Sequence, residues 1–317
     1  MARPLVIGSR GSKLALWQAE QARERLQQLD PQLEIKIEII KTTGDVKSEP
    51  LSVIGGKGVF TKELEEALLD GRIDIAVHSL KDLPTILPEA LSISAICERE
   101  DPRDALVLRS DLQIEDSSLL NLPARAVVGT SSQRRLAQLK SLRSDVVIND
   151  LRGNVDTRIR KLDEGQYDAV ILASAGLLRL GLQDRISARI NVNEMLPAVG
   201  QGAIAIETRS DNEFAVGVTT RLDHRETRIA CLAERAFLRG LGGGCQLPIA
   251  AHAIVNDDEL MLDGLVAKPD GSEILRDRLS GPVNDAEEIG SALATALIQR
   301  GGQALLERRP VEQNRTD

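Results

Sequence analysis

Short apolar blocks alternate with stretches of helical periodicity through the first two-thirds of the chain. Leu5-Val6-Ile7-Gly8-Ser9 predicts a buried strand, and Arg10-Gly11-Ser12 leads from it into a helix with apolar positions Leu16, Ala19, Ala22, Leu26 and Leu29. Leu33, Ile35, Ile37 and Ile39 alternate with Glu34, Lys36 and Glu38, the period of a half-buried strand. A helix is expected from about Thr61 to Asp70, ended by Gly71, and Ile73-Asp74-Ile75-Ala76-Val77 is the next strand, running into His78-Ser79-Leu80-Lys81-Asp82-Leu83-Pro84. The middle third repeats this order. Val127-Val128-Gly129-Thr130 enters a helix as Val6-Ile7-Gly8-Ser9 does, and Gly165-Gln166-Tyr167-Asp168 precedes the strand Ala169-Val170-Ile171-Leu172 as Gly71-Arg72-Ile73-Asp74 precedes Ile75-Ala76-Val77. Two similar α/β lobes follow from the repetition.

Glu100-Asp101-Pro102-Arg103-Asp104 and Leu196-Pro197-Ala198-Val199-Gly200-Gln201-Gly202 bracket the second lobe with proline and glycine, as paired crossovers would, and Ala203-Ile204-Ala205-Ile206 reads as a strand returning to the first. Two lobes with two crossovers leave a cleft, the usual ligand position of open α/β sheets. The last third differs. A helix around Thr227 to Leu238 precedes three short strands, Ile249–Val255, Glu259–Val266 and Glu273–Leu279, with turn residues at Asn256-Asp257-Asp258 and Pro269-Asp270-Gly271. An amphipathic helix from Asp285 to Arg300 closes this small α+β unit, and a polar tail follows Arg308.

Composition narrows the function. A net charge of −8 and 2% aromatic residues argue against nucleic-acid binding, because both basic surface and stacking platforms are scarce. No apolar run approaches the roughly 18 residues of a membrane span, and the N-terminus lacks the apolar core of a signal peptide. Three unrelated cysteines make no disulfide framework, so a cytoplasmic setting is expected; His78, His224 and His252 show no zinc spacing, so no metal is expected.

The candidate chemistry centres on Gly242-Gly243-Gly244-Cys245-Gln246-Leu247-Pro248. Three glycines clear the approach to a thiol, whereas Cys97 and Cys231 lie in apolar patterns. A flexible loop around an ordinary cysteine is the alternative. Gly240-Leu241-Gly242-Gly243-Gly244-Cys245 is no dinucleotide fingerprint, and Gly55-Gly56-Lys57-Gly58 is no P-loop. Arginines gather at strand-to-helix junctions: Arg10 beside Ser9 and Ser12, Arg134 and Arg135 after Thr130-Ser131-Ser132, and Arg152 and Arg158 around Gly153-Asn154. Guanidinium forks, hydroxyls and free helix N–H groups favour carboxylates or phosphates. Each arginine taken alone reads equally as a surface cap. Asp82, at a strand end before Leu83-Pro84, could stabilise a cation or move a proton, or be a turn residue. Residues Thr42 to Phe60, rich in glycine, serine, threonine and lysine, read as a long loop of the kind that forms lids.

Together these stretches resemble the hydroxymethylbilane synthase (porphobilinogen deaminase) family of tetrapyrrole biosynthesis. The resemblance runs in order through Gly8-Ser9-Arg10, Gly55–Phe60, Ala76–Pro84, Glu98–Asp104, Gly129–Arg135, Arg152-Gly153-Asn154, Pro197–Gly202 and Gly243–Pro248. It implies two lobes folded like type II periplasmic binding proteins plus a small α+β domain: residues 1–100 with 200–218, residues 101–199, and residues 219–317. It implies a transferase that adds four porphobilinogen molecules in turn, each losing ammonia, and releases the linear tetrapyrrole by hydrolysis. It also implies a dipyrromethane cofactor on Cys245 through a thioether, held by Lys81, Thr130, Ser131, Ser132, Arg134, Arg135 and Arg152. Substrate carboxylates would meet Arg10, Ser12, Arg158, Arg179 and Gln201; Asp82 would be the catalytic carboxylate; Lys57 and Phe60 would belong to the lid. Val53 and Leu178 stand where some relatives carry lysine. A monomer with no nucleic-acid or membrane partner is expected. Two rival readings remain: a two-lobed receptor for a small anion, and a thiol enzyme using Cys245 with His252 nearby.

Overall fold

The computed structural model describes residues 3–46 and 58–306 except 115, 117, 245 and 246, with only the backbone of Asp45 and Val46. Val53, Lys57, Cys245, Gln246 and the tail after Arg308 therefore lie outside the described residues.

The first sheet has the order β2-β1-β3-β10-β4, built from β1 Leu5–Ser9, β2 Ile35–Ile39, β3 Ile75–Ser79, β4 Leu91–Ile96 and β10 Ile204–Arg209. The second has the order β7-β6-β8-β5-β9, from β5 Asp104–Leu108, β6 Val127–Gly129, β7 Val147–Asn149, β8 Ala169–Ala173 and β9 Ala188–Arg189. The two orders are equivalent slot by slot. In each sheet the first three strands are parallel, and the fourth, which arrives directly from a crossover, is antiparallel to both its neighbours. This is the pair of type II lobes expected from the sequence. The expected Ala203–Ile206 strand does return to the first sheet, as β10, which starts one residue later at Ile204. Its counterpart β5, buried along its whole length, escaped the reading because Asp104 closes the stretch read as the first crossover.

Each lobe begins with the same junction. Ser12 caps the Lys13–Leu29 helix by accepting from Ala15 N–H at 3.3 Å, and Ser132 caps the Gln133–Leu142 helix by accepting from Arg135 N–H at 3.5 Å. Both helix starts lie at the C-terminal ends of parallel strands. The alternation in Leu33–Ile39 holds only in part: β2 is an edge strand, Ile35 is buried, and Ile39 beside Gly11 is 55% exposed.

The crossovers run side by side. Glu100 N–H donates to the Gly202 carbonyl at 3.2 Å, and a Cβ on Gly202 would stand 2.3 Å from the Glu100 carbonyl oxygen. Gly202 also has φ +91°, a backbone conformation that costs any other residue about 1–3 kcal/mol. Gly202→Ala should therefore lower the urea midpoint by more than that strain alone requires, because the hinge carbonyl cannot move away cheaply. An unchanged midpoint would show that the crossovers separate freely.

The third unit is the antiparallel sheet β11 Ile249–Asn256, β12 Glu259–Ala267 and β13 Ile274–Pro282, covered by the helices Arg225–Gly240 and Ala286–Gln299. Its core includes Phe237, Leu260, Leu262, Leu293 and Leu297. Asp257, at φ +52°, forms the two-residue turn between β11 and β12. Glu234 docks this unit on the hinge: its carboxylate accepts from Arg99 at 2.6 and 3.1 Å, from Gly200 N–H at 2.7 Å and from Ala253 N–H at 2.9 Å. Among the described residues no helix is long and apolar enough to cross a membrane.

Candidate active site

Strand β3 ends at Ser79, and the chain tightens into a 3-10 turn, Leu80–Asp82. Leu80 is buried, and its N–H donates to the Ala203 carbonyl at 3.0 Å. Arg235 of the third unit donates to the Pro84 carbonyl at 2.6 Å and the Leu83 carbonyl at 3.4 Å. The turn is thus braced from the hinge and from the third unit, which fixes Lys81 and Asp82 at the end of a central strand. Both line a cavity of about 160 Å³, together with Arg134, Arg135 and Gln201. Gly244 and Leu247 also line it, so the chain enters and leaves residues 245–246 at the cavity wall.

The cations at this cavity are held by a buried carboxylate that sequence reading missed. Asp104, fully buried at the start of β5, accepts from Arg134 Nη1 at 2.6 Å and Nη2 at 3.3 Å, from Arg135 Nε at 3.1 Å and Nη2 at 2.8 Å, and from Gln201 Nε2 at 2.9 Å. Burial alone would raise its carboxyl, but the two guanidiniums hold it well below the usual carboxylate range. Removing one partner of such a buried pair costs about 3–5 kcal/mol. Arg134 also donates to the Leu196 carbonyl at 2.7 Å, and Arg135 to the Ile171 carbonyl at 2.9 Å. Both arginines are therefore clamped internally while still facing the cavity.

Lys81 Nζ donates to Gln201 Oε1 at 3.5 Å. Burial pushes its ammonium down to about 8, helped by Arg135 and Arg134 and opposed by Asp82 and Asp104. Arg158 is lowered to about 10, first by burial and then by Arg135, with Asp82 and Asp150 opposing. Asp82 thus faces cations from both lobes.

The remaining expected residues divide. Thr130 Oγ1 accepts from Ser132 N–H at 3.2 Å, and Ser131 Oγ bonds the Leu151 backbone, so these hydroxyls shape the second-lobe junction. Arg152 pairs with Asp150 at 2.6 Å, and Arg158 Nε donates to the Gly153 carbonyl at 2.7 Å. Arg10 stacks over Phe60 at 4.2 Å, joining the first-lobe junction to the end of the expected lid. Lys13 and Asp156 pair across the lobes at 3.2 Å. Arg179 and Gln201 differ from the rest. Arg179 is buried, donates to the Gly202 carbonyl at 2.6 Å and lies over Trp17 at 5.6 Å, on the hinge side. Gln201 is fully buried, with Nε2 donating to Pro102 O as well as to Asp104. Cys245 and Lys57 lie outside the described residues.

The donor set fits a ligand with several carboxylates and electron-poor nitrogens: cations on both walls, one carboxylate in front of them, and glycine-rich chain at the entrance. Among the described residues no group of three or more His, Cys, Asp or Glu side chains could hold a metal ion.

Comparison with known proteins gives the same direction. Residues 5–216 match the family "Porphobilinogen deaminase, dipyromethane cofactor binding domain", and residues 228–299 match "Porphobilinogen deaminase, C-terminal domain". The chain is 50% identical to the porphobilinogen deaminase of Chromobacterium violaceum over 303 residues, 95% of this chain and 96% of that protein. It is also 50% identical to the porphobilinogen deaminase of Pelobacter propionicus over 306 residues, 96% and 97% of the two chains. Among solved structures, the BenM effector binding domain with benzoate aligns with a TM-score of 0.43 at 18% identity, covering 69% of this chain and 90% of that one. The Bordetella pertussis BvgS periplasmic VFT2 domain aligns with a TM-score of 0.39 at 18% identity, covering 69% and 85%.

Proposed function

Since this chain belongs to the porphobilinogen deaminase family, we propose that Asp82 is its catalytic carboxylate and that Cys245 carries the dipyrromethane cofactor of the family's transferase reaction. That reaction joins four porphobilinogen molecules in turn, each losing ammonia, and hydrolysis then releases the linear tetrapyrrole. The bound dipyrromethane supplies the free pyrrole carbon at which the chain is extended. Lys81, Arg134 and Arg135 hold its carboxylates, with Thr130, Ser131 and Ser132 shaping the junction beside them. Arg152 extends that grip; Arg10, Ser12 and Arg158 take the carboxylates of the incoming substrate. The observation that carries the reading is the cavity itself, where Asp82 stands among cations beside Gly244 and Leu247.

Loss of ammonia leaves an electron-poor substrate carbon, and bond formation puts positive charge on pyrrole nitrogen. An anion facing those N–H groups stabilises the charge as it develops. Asp82 takes that role in this reading, while the surrounding cations bind the carboxylate rim. Mixing the protein with porphobilinogen and following ammonia tests this. Release with each addition is expected; saturable binding without ammonia would favour a receptor.

The Lys81 ammonium gives a pH dependence. In the cofactor-free protein, capture of porphobilinogen should weaken as pH rises through about 8, where Lys81 loses its charge. Lys81→Gln should lower capture at pH 7 and flatten that step; a variant that still falls through pH 8 contradicts the assignment. Folding stability runs the opposite way. Burial penalises the charged form, so the penalty is complete below pH 8 and is relieved as pH rises toward the ordinary lysine value.

The same reading takes the protein to be a cytoplasmic monomer without nucleic-acid partners, which the acidic balance and the absence of a cysteine framework support. Light scattering across protein concentration checks the monomer.

A further inference from the structure

Three charged side chains at the cavity come from two lobes, yet one buried carboxylate and one buried amide tie them together. Asp104 follows the first crossover; Gln201 lies in the second. Gln201 receives Lys81 of the first lobe on Oε1 and gives Nε2 to Asp104, which grips Arg134 and Arg135 of the second lobe. The same Nε2 reaches the Pro102 carbonyl at 2.7 Å, so the amide also joins the two crossovers. We propose that Asp104 and Gln201 are positioning residues, which set the spacing of Lys81, Arg134 and Arg135 across the hinge and thereby pre-organise the cofactor's carboxylate grip.

The geometry separates this from simple core packing. Asp104 is fully buried, and among the described residues all five hydrogen bonds its carboxylate accepts come from side chains lining the cavity. A carboxylate there also leaves the guanidinium planes fixed before any ligand arrives, so less ordering cost falls on binding. The inference rests on the proposed cofactor grip, and its test does not depend on turnover.

The test compares Gln201→Met and Asp104→Asn with the unaltered protein. Gln201→Met cuts the bridge to Lys81 and leaves the Asp104 clamp with its arginines. Its cofactor-free form, shown by circular dichroism to be folded, should load covalent pyrrole from porphobilinogen at least about ten-fold more slowly by intact mass. Asp104→Asn removes the anion that supports Lys81, so the midpoint for amine-reagent labelling of Lys81, read by peptide mass against pH, should move below about 8. Asp104→Glu, which restores the charge, should move that midpoint back. Should Asp104→Asn fail to fold, the Gln201→Met loading rate and its Lys81 titration still decide the matter. Normal loading in Gln201→Met overturns the bridge, whatever its turnover. An unmoved Lys81 midpoint in folded Asp104→Asn overturns the role of Asp104. If the unaltered protein loads no pyrrole while its Lys81 titrates as described, the cofactor reading fails and the hinge geometry stands.

Discussion

Asp82→Asn should fold normally, carry its covalent pyrroles and lose turnover by about 10²–10³-fold, the effect typical of removing one pre-organised electrostatic contact to a transition state. The amide keeps the size and hydrogen-bonding reach of the carboxylate, so the braced turn Leu80–Asp82 has no reason to move. What is lost is the negative charge facing the reacting nitrogens. The surrounding cations cannot replace it, because Lys81 and Arg158 repel the charge that develops there. Most of the loss should appear in kcat, since the substrate's carboxylates are bound by other groups. Stopped ammonia release with retained pyrrole mass is the expected pattern. Near-normal turnover would remove Asp82 from the mechanism.

Cys245→Ala should abolish covalent loading. Neither other cysteine can substitute. Cys97 and Cys231 are 6% and 0% exposed, and burial pushes their thiols up to about 11 and about 12, so almost no thiolate exists at neutral pH. The variant should therefore keep the bare polypeptide mass after incubation with porphobilinogen. It should also melt below the loaded protein, because the attached group's carboxylates can pair with Lys81, Arg134 and Arg135 only in the native state. A variant that gains the same pyrrole mass would refute the attachment site.

The parts of the molecule that could be read from sequence are those where local pattern and tertiary environment agree. The helices Arg225–Gly240 and Ala286–Gln299 and the strands β11 to β13 follow their periodicity and turn residues closely. The lobe repeat was visible because both junctions share a strand end, a serine cap and a helix. The strand β5 was missed: Asp104 ends Glu100-Asp101-Pro102-Arg103-Asp104, a proline-containing acidic stretch that reads as a crossover. Its meaning appears only when Arg134, Arg135 and Gln201, 30, 31 and 97 residues away, fold onto it. For the same reason the sequence could gather the arginines at strand ends but could not separate internal clamps from cleft contacts. Arg179 shows the limit: only the family resemblance put it against substrate, and its packing against Trp17 and the Gly202 carbonyl holds it at the hinge.

The most direct measurement is the intact mass of the purified protein before and after brief exposure to porphobilinogen. A starting mass equal to the polypeptide plus two linked pyrroles, confined to the peptide bearing Cys245, is expected. Discrete species heavier by one pyrrole at a time should follow, and the starting mass should return once the tetrapyrrole is released. A protein that keeps its bare polypeptide mass throughout would contradict the account.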